Sequence, residues 1–129
     1  MPTLTQLLHA PHCRGPWRAL LVLLLGVVSV AALAPGGDAP SLGVGDKVDH
    51  LLAFVALAVA AVLSGHAARR HVARVAAGLL AYGALIEVAQ TRVPGRQGDV
   101  IDLAIDAAGI LLGLAAAQAL RSRWPAPNL

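Results

Sequence analysis

One cysteine, Cys13, leaves this 129-residue chain without any intrachain disulfide, and that thiol reads as a bystander. Charge is scarce too: 13% of residues are Asp, Glu, Lys or Arg, where a soluble domain carries roughly 25%. The dense signatures of common chemistries are missing. There is no HExxH or CxxC for a metal, no Ser-His-Asp arrangement and no phosphate-cradling glycine loop. Gly43-Val44-Gly45 lacks the strand–helix setting of a dinucleotide site and reads as a loop. The formal net charge is +3, but aromatics make up only 3% of the chain, and the basic residues flank apolar segments. That pattern excludes a nucleic-acid surface, which needs a basic patch with interleaved aromatics. The basic residues instead suit membrane lipid headgroups.

What is abundant is apolar sequence, 57% of the chain, in long runs. Four runs approach the length that crosses a bilayer as helix, about 17–25 residues. They are Trp17–Ala34, Val48–Gly65, Val72–Gln90 and Val100–Leu120. High alanine content and length select helix over buried strand. Pro35-Gly36-Gly37 and Pro40, then Gly65, then Pro94-Gly95 punctuate the runs, and Pro125 and Pro127 close the tail. Ala32-Leu33-Ala34 resembles a signal-peptide cleavage site, but Pro35 follows it directly and three more apolar runs come after. The expected fold is an all-α membrane protein. It is a four-transmembrane-helix antiparallel bundle, with one domain over residues 1–129.

Seven of the ten Lys and Arg (Arg14, Arg18, Arg69, Arg70, Arg74, Arg121 and Arg123) fall on one side of such a bundle. The positive-inside bias makes that side cytoplasmic, together with both termini. Trp17 and Trp124 read as interfacial anchors there, and His66 and His71 as solvated inner-loop residues. All seven acids (Asp38, Asp46, Asp49, Glu87, Asp99, Asp102 and Asp106) gather at the opposite end, with Lys47, Arg92, Arg96 and His50. Carboxylates contribute little to orientation, so their segregation calls for a different cause, and a polar site at the outer face supplies one.

Ionisable groups inside a membrane normally face the bundle interior. Asp99, Asp102 and Asp106 share about 60° of one helix face. Gly109 and Gly113 continue it as a small-xxx-small surface for close helix approach. Gly83, Glu87, Gln90 and Thr91 form a second polar face, and Asp46 and His50 a third, with Phe54 packed below. The candidate proton-transfer residues are His50, Glu87 and Asp102. Lys47, Arg96, Gln90, Asp46, Asp99 and Asp106 are the candidate binding residues, with Lys47 and Arg96 holding an anion such as a lipid phosphate. A structural lock of ion pairs and an ion path are the competing readings. His50, Glu87, Asp102 and Asp106 offer nitrogen and oxygen ligands for a divalent metal, but nearby Lys and Arg favour ion pairs over one.

Asp46-Lys47-Val48-Asp49-His50 with Phe54, Glu87-Val88-Ala89-Gln90, and Arg96 through Asp99, Asp102, Gly109 and Gly113 resemble the ordered motifs of VanZ-like membrane proteins. The resemblance covers about residues 44–115. Asp106 stands where that family usually has Asn, so it must be protonated or paired with a cation such as Lys47 or Arg96. The resemblance implies an integral protein of the bacterial cytoplasmic membrane and cell envelope, associated with resistance to the glycopeptide teicoplanin. It does not supply a reaction. A lipid-linked cell-envelope precursor is the partner that an outward pocket would be placed to meet.

Overall fold

The computed structural model describes residues 1–36 and 41–126. Gly37, Asp38, Pro40 and Pro127, which carried part of the sequence argument, lie outside the described residues. Among the described residues five α-helices form, α1 (Leu4–His9), α2 (Arg14–Leu33), α3 (Asp46–Leu63), α4 (Arg69–Gln90) and α5 (Val100–Arg123), with a 3-10 turn, Pro11–Cys13, leading into α2. Their starts follow local chemistry. Thr3 and Gln6 form a reciprocal capping box on α1. Gly45, at φ +105°, turns the chain into α3, whose first turn carries Asp46 and Asp49 against the positive end of the helix dipole. Asp99 caps α5, its carboxylate accepting from the Ile101 N–H at 2.8 Å.

Among the described residues three helices are long and apolar enough to cross a membrane: Pro11–Leu33, Arg69–Gln90 and Val100–Arg123. The expected second span is not among them. α3 has 18 residues, and Asp46, Lys47 and Asp49 occupy its first turn. Its apolar surface is turned to protein: Phe54, Leu57, Ala58, Ala60, Ala61, Val62 and Leu63 are buried. α3 is the central helix, in contact with α2, α4 and α5. The outside of the bundle is apolar instead. No residue of α2 is buried, and Val22, Leu23, Val27, Val30, Leu85, Val88, Leu111 and Leu112 are exposed. A soluble monomer rarely leaves so much apolar surface in water, whereas lipid accepts it.

α3 and α5 form the most extensive helix pair. Gly109 and Gly113 make it possible: a Cβ on Gly109 would stand 2.7 Å from the Leu51 carbonyl oxygen, and one on Gly113 2.6 Å from that of Val55. The antiparallel course brings the starts of α3 and α5 and the end of α4 to one end of the bundle. All six described acids lie there.

The opposite end is tied together by residues the sequence placed on the cytoplasmic side. Arg121 donates to the carbonyls of Leu8, Val62 and Gly65. Trp17, expected as an interfacial anchor, donates its indole N–H to Leu7 at 2.8 Å and so holds α1 against α2. His71, expected to be solvated, is half-buried and lies 3.0 Å from the Ala61 carbonyl, because it packs over Gly65. His66 is exposed and bonded to Arg14.

Candidate functional site

At the acidic end the ionisable residues divide into two groups. Lys47 Nζ donates to Asp102 Oδ1 at 2.9 Å and lies 3.6 Å from Asp99 Oδ2. Asp102 is buried and half of Lys47 is exposed, so this pair joins α3 to α5 at the edge of the bundle. Arg96 does not primarily serve an acid. It donates to the carbonyls of Ala31 and Ala34 at 3.0 and 3.2 Å, and its contact with Asp46 is long, 3.9 Å. Gln90 donates to Ala32 at 3.1 Å. Both residues therefore cap the last turn of α2, whose carbonyls have no partner within the helix. Gly36 completes the join, its N–H donating to Pro94.

The second group lies deeper. His50 Nδ1 is 2.9 Å from Asp106 Oδ1. Asp106, expected to be protonated or paired with a cation such as Lys47 or Arg96, faces His50, two turns into α5. It is fully buried. Glu87 Oε2 accepts from the Asp99 N–H at 2.8 Å, which ties α4 to the start of α5. Glu87 Oε1 and Asp106 Oδ2 are buried and have no hydrogen-bond partner among the described residues. One ligand atom from each of His50, Glu87 and Asp106 lies within 4.8 Å of the other two. Gly83 leaves the space, since a Cβ there would sit 2.9 Å from Asp106 Oδ2. A buried polar atom without a partner is costly, so these two oxygens call for a partner that the described residues do not supply.

A cavity of about 140 Å³ opens beside this group, between α2, α3 and α4. Its wall is apolar (Val28, Ala31, Phe54 and Ile86), and its rim carries Asp46, Asp49, His50, Gln90 and Arg96. Asp49, not among the expected site residues, is held by Ser41 Oγ at 2.6 Å and by the Leu42 N–H. Glu87, Asp99, Asp102, Asp106 and Lys47 do not line the cavity. Thr91, placed on the polar face of its segment, is exposed and bonded to Val88 of its own helix. Arg92, named as one of the possible counter-ions, is exposed and forms no ion pair among the described residues.

Sequence reasoning missed Tyr82. Its hydroxyl bonds Ser29 Oγ at 2.8 Å and the Leu25 carbonyl at 3.2 Å, and its ring packs 6.0 Å from that of Phe54. A lone tyrosine in an apolar helix was the available signal, because a buried phenol needs a partner.

A family model described as VanZ/LLP1 matches residues 14–121. No curated protein and no solved structure gives a significant match.

Proposed function

Because the chain belongs to the VanZ/LLP1 family, we propose that the cavity at the acidic end takes the headgroup region of a membrane lipid or lipid-linked envelope precursor. Its carrying observation is the cavity's composition. Val28, Phe54 and Ile86 suit the first methylenes of a lipid, while His50, Gln90 and Arg96 suit its polar part. Arg96 keeps donors unused by Ala31 and Ala34, so anion contact falls to it, not to Lys47, which its two acids already engage. His50 serves as the proton-transfer group at the cavity wall, with Asp106 and Glu87 behind it. The proposal extends to topology. α3, about 27 Å long, crosses as a fourth span within the other three, both termini are cytoplasmic and the cavity faces outward. The link to teicoplanin belongs to the same proposal, because that glycopeptide targets a lipid-linked precursor.

Filling the cavity tests this reading. Ala53→Phe places a ring into the space while leaving every polar pair intact. Native mass spectrometry of the purified protein should find lipid retained by the wild type and lost from the variant, and a host made teicoplanin-tolerant by the protein should lose that tolerance. Equal lipid retention in both proteins at equal helix content would sink it. Topology is checked separately in a Cys13→Ser background. A cysteine at Arg92 should react with an impermeant maleimide added outside the cell, and one at Arg70 should not; the reverse pattern overturns the orientation.

A non-enzymatic scaffold or ion-transport module is the second reading. The observation in its favour is the Lys47–Asp102–Asp99 group, in which every charge has a partner.

A further inference from the structure

The ion-pair explanation that the sequence favoured over a metal accounts for Asp102 but not for Glu87. Among the described residues Glu87 forms no ion pair, and its Oε1 has no donor. Asp106 has only His50, and its second oxygen is equally bare. Two buried carboxylates thus converge on an imidazole, with one ligand atom from each residue inside a 4.8 Å triangle.

We propose that His50, Glu87 and Asp106 bind a divalent first-row transition ion of the zinc class. The inference rests on reading this cluster as the functional site, and it assigns that site a resident cation, with His50 as a ligand of the ion in place of the proton-transfer role given to it above. The donor set argues for the ion's type. One imidazole and two carboxylates suit zinc, whereas magnesium and calcium prefer all-oxygen shells. With a neutral His50 the ligands carry two negative charges, and one divalent ion balances both. A tetrahedral ion with bonds near 2.1 Å holds its ligands about 3.4 Å apart, so small side-chain rotations close the triangle. Three protein ligands leave a coordination position open, the arrangement of catalytic rather than structural zinc sites. Of the three ligands only His50 lines the cavity, so an ion would enter past its imidazole. Asp46 and Asp49 on the rim draw cations toward it.

A neighbouring triad, Asp46, His50 and Asp102, is equally compact but a poorer site. Lys47 already holds Asp102, and Asp46 is exposed. In the deeper triad both carboxylates are buried and each keeps an oxygen without a partner among the described residues.

The test uses the full chain in lipid nanodiscs, stripped with a chelator and then titrated with Zn²⁺, with Mg²⁺ as comparison. The expected result is one Zn²⁺ per chain by elemental analysis, bound much more tightly than Mg²⁺. His50→Ala, Glu87→Gln and Asp106→Asn should each weaken it at least about tenfold. Cys13→Ser and His66→Ala should leave it unchanged, which separates the site from other soft or imidazole donors. Glu87→Gln and Asp106→Asn preserve shape, so equal helix content and elution volume keep the comparison valid if His50→Ala misfolds. No stoichiometric zinc on the wild type, or full occupancy in Glu87→Gln and Asp106→Asn, overturns the proposal. The outcome is separable from the headgroup reading. Zinc bound with unchanged lipid retention in Ala53→Phe removes the headgroup reading alone, and lipid lost from Ala53→Phe in a protein that holds no zinc removes the metal alone.

Discussion

Neither Gly109→Leu nor Gly113→Leu should accumulate as a folded protein. At both positions the first added carbon already meets backbone: the Leu51 carbonyl oxygen at 2.7 Å, and the Val55 carbonyl oxygen with the Ala58 Cβ at 2.6 Å. A flexible side chain can rotate away from an added methyl group, but a helix backbone cannot. Relief requires α3 and α5 to separate, and that pair is the largest contact in the bundle. Overpacking a well-filled core costs about 1–3 kcal/mol, and a leucine against backbone lies at or beyond the upper end of that range. Against a total stability of about 5–15 kcal/mol, either change removes a large share. The functional site suffers with the fold, because Leu51 and Val55 directly follow His50 and Phe54 along α3. Gly26→Leu and Gly78→Leu are the controls, since a Cβ at either meets nothing within 4 Å. Abundance and monodispersity on size-exclusion chromatography decide the matter. A Gly113→Leu protein as abundant and monodisperse as Gly78→Leu would show that the helix contact is looser than these distances require.

The same two glycines show why so much of this fold was legible beforehand. Long apolar runs with Pro and Gly breaks define membrane helices with little ambiguity. The first run, read from Trp17, starts at Arg14; the last, read from Val100 to Leu120, extends to Arg123. The inward face of α5 was legible for the same reason, since Asp102 and Asp106 share it with Gly109 and Gly113, and all four are buried. The choice of partners was not legible. Once charge segregation brings Lys47, Arg92, Arg96 and His50 to the same end as the acids, sequence distance no longer tells which pairs form. Depth decides it. Lys47, in the first turn of α3, reaches Asp102, whereas His50, one turn deeper, reaches Asp106 one turn further along α5. Arg96 follows a different rule, because the unpartnered carbonyls ending α2 compete with carboxylates for its donors. α1 was legible in principle through Thr3 and Gln6, but a six-residue helix has no amphipathic period to read and depends on Leu8, Trp17 and Arg121 for its place. The status of α3 depended on its neighbours. A helix with a charged first turn and an apolar remainder fits a membrane only when other helices surround it, and that information lies in the packing.

Two double substitutions separate the structural pair from the chemical one. If Lys47 and Asp102 only hold α3 to α5, exchanging them as Lys47→Asp with Asp102→Lys should restore both the abundance and the cellular activity that Lys47→Asp alone reduces. The carboxylate and ammonium would meet again across the same helix pair, close to Asp99. The His50–Asp106 pair should behave differently. His50→Asp with Asp106→His can rebuild the hydrogen bond and return the protein to normal abundance, but it moves the imidazole from the cavity wall to a fully buried position on α5. Activity that depends on His50 then stays lost. For a general acid or base the deficit is about 10²–10⁴-fold, and His50→Ala should show the same loss. The readouts are abundance by quantitative immunoblot and teicoplanin susceptibility of a host expressing each variant, compared at matched protein level. Recovery of full activity by the His50–Asp106 exchange would mean that this pair, too, serves only to fasten α3 to α5. A dead Lys47–Asp102 exchange at normal abundance would instead move Lys47 and Asp102 into the chemistry. The two pairs stand one turn apart on the same two helices, so any general weakening of the α3–α5 contact affects both exchanges alike, and only the position of the imidazole at the cavity distinguishes them.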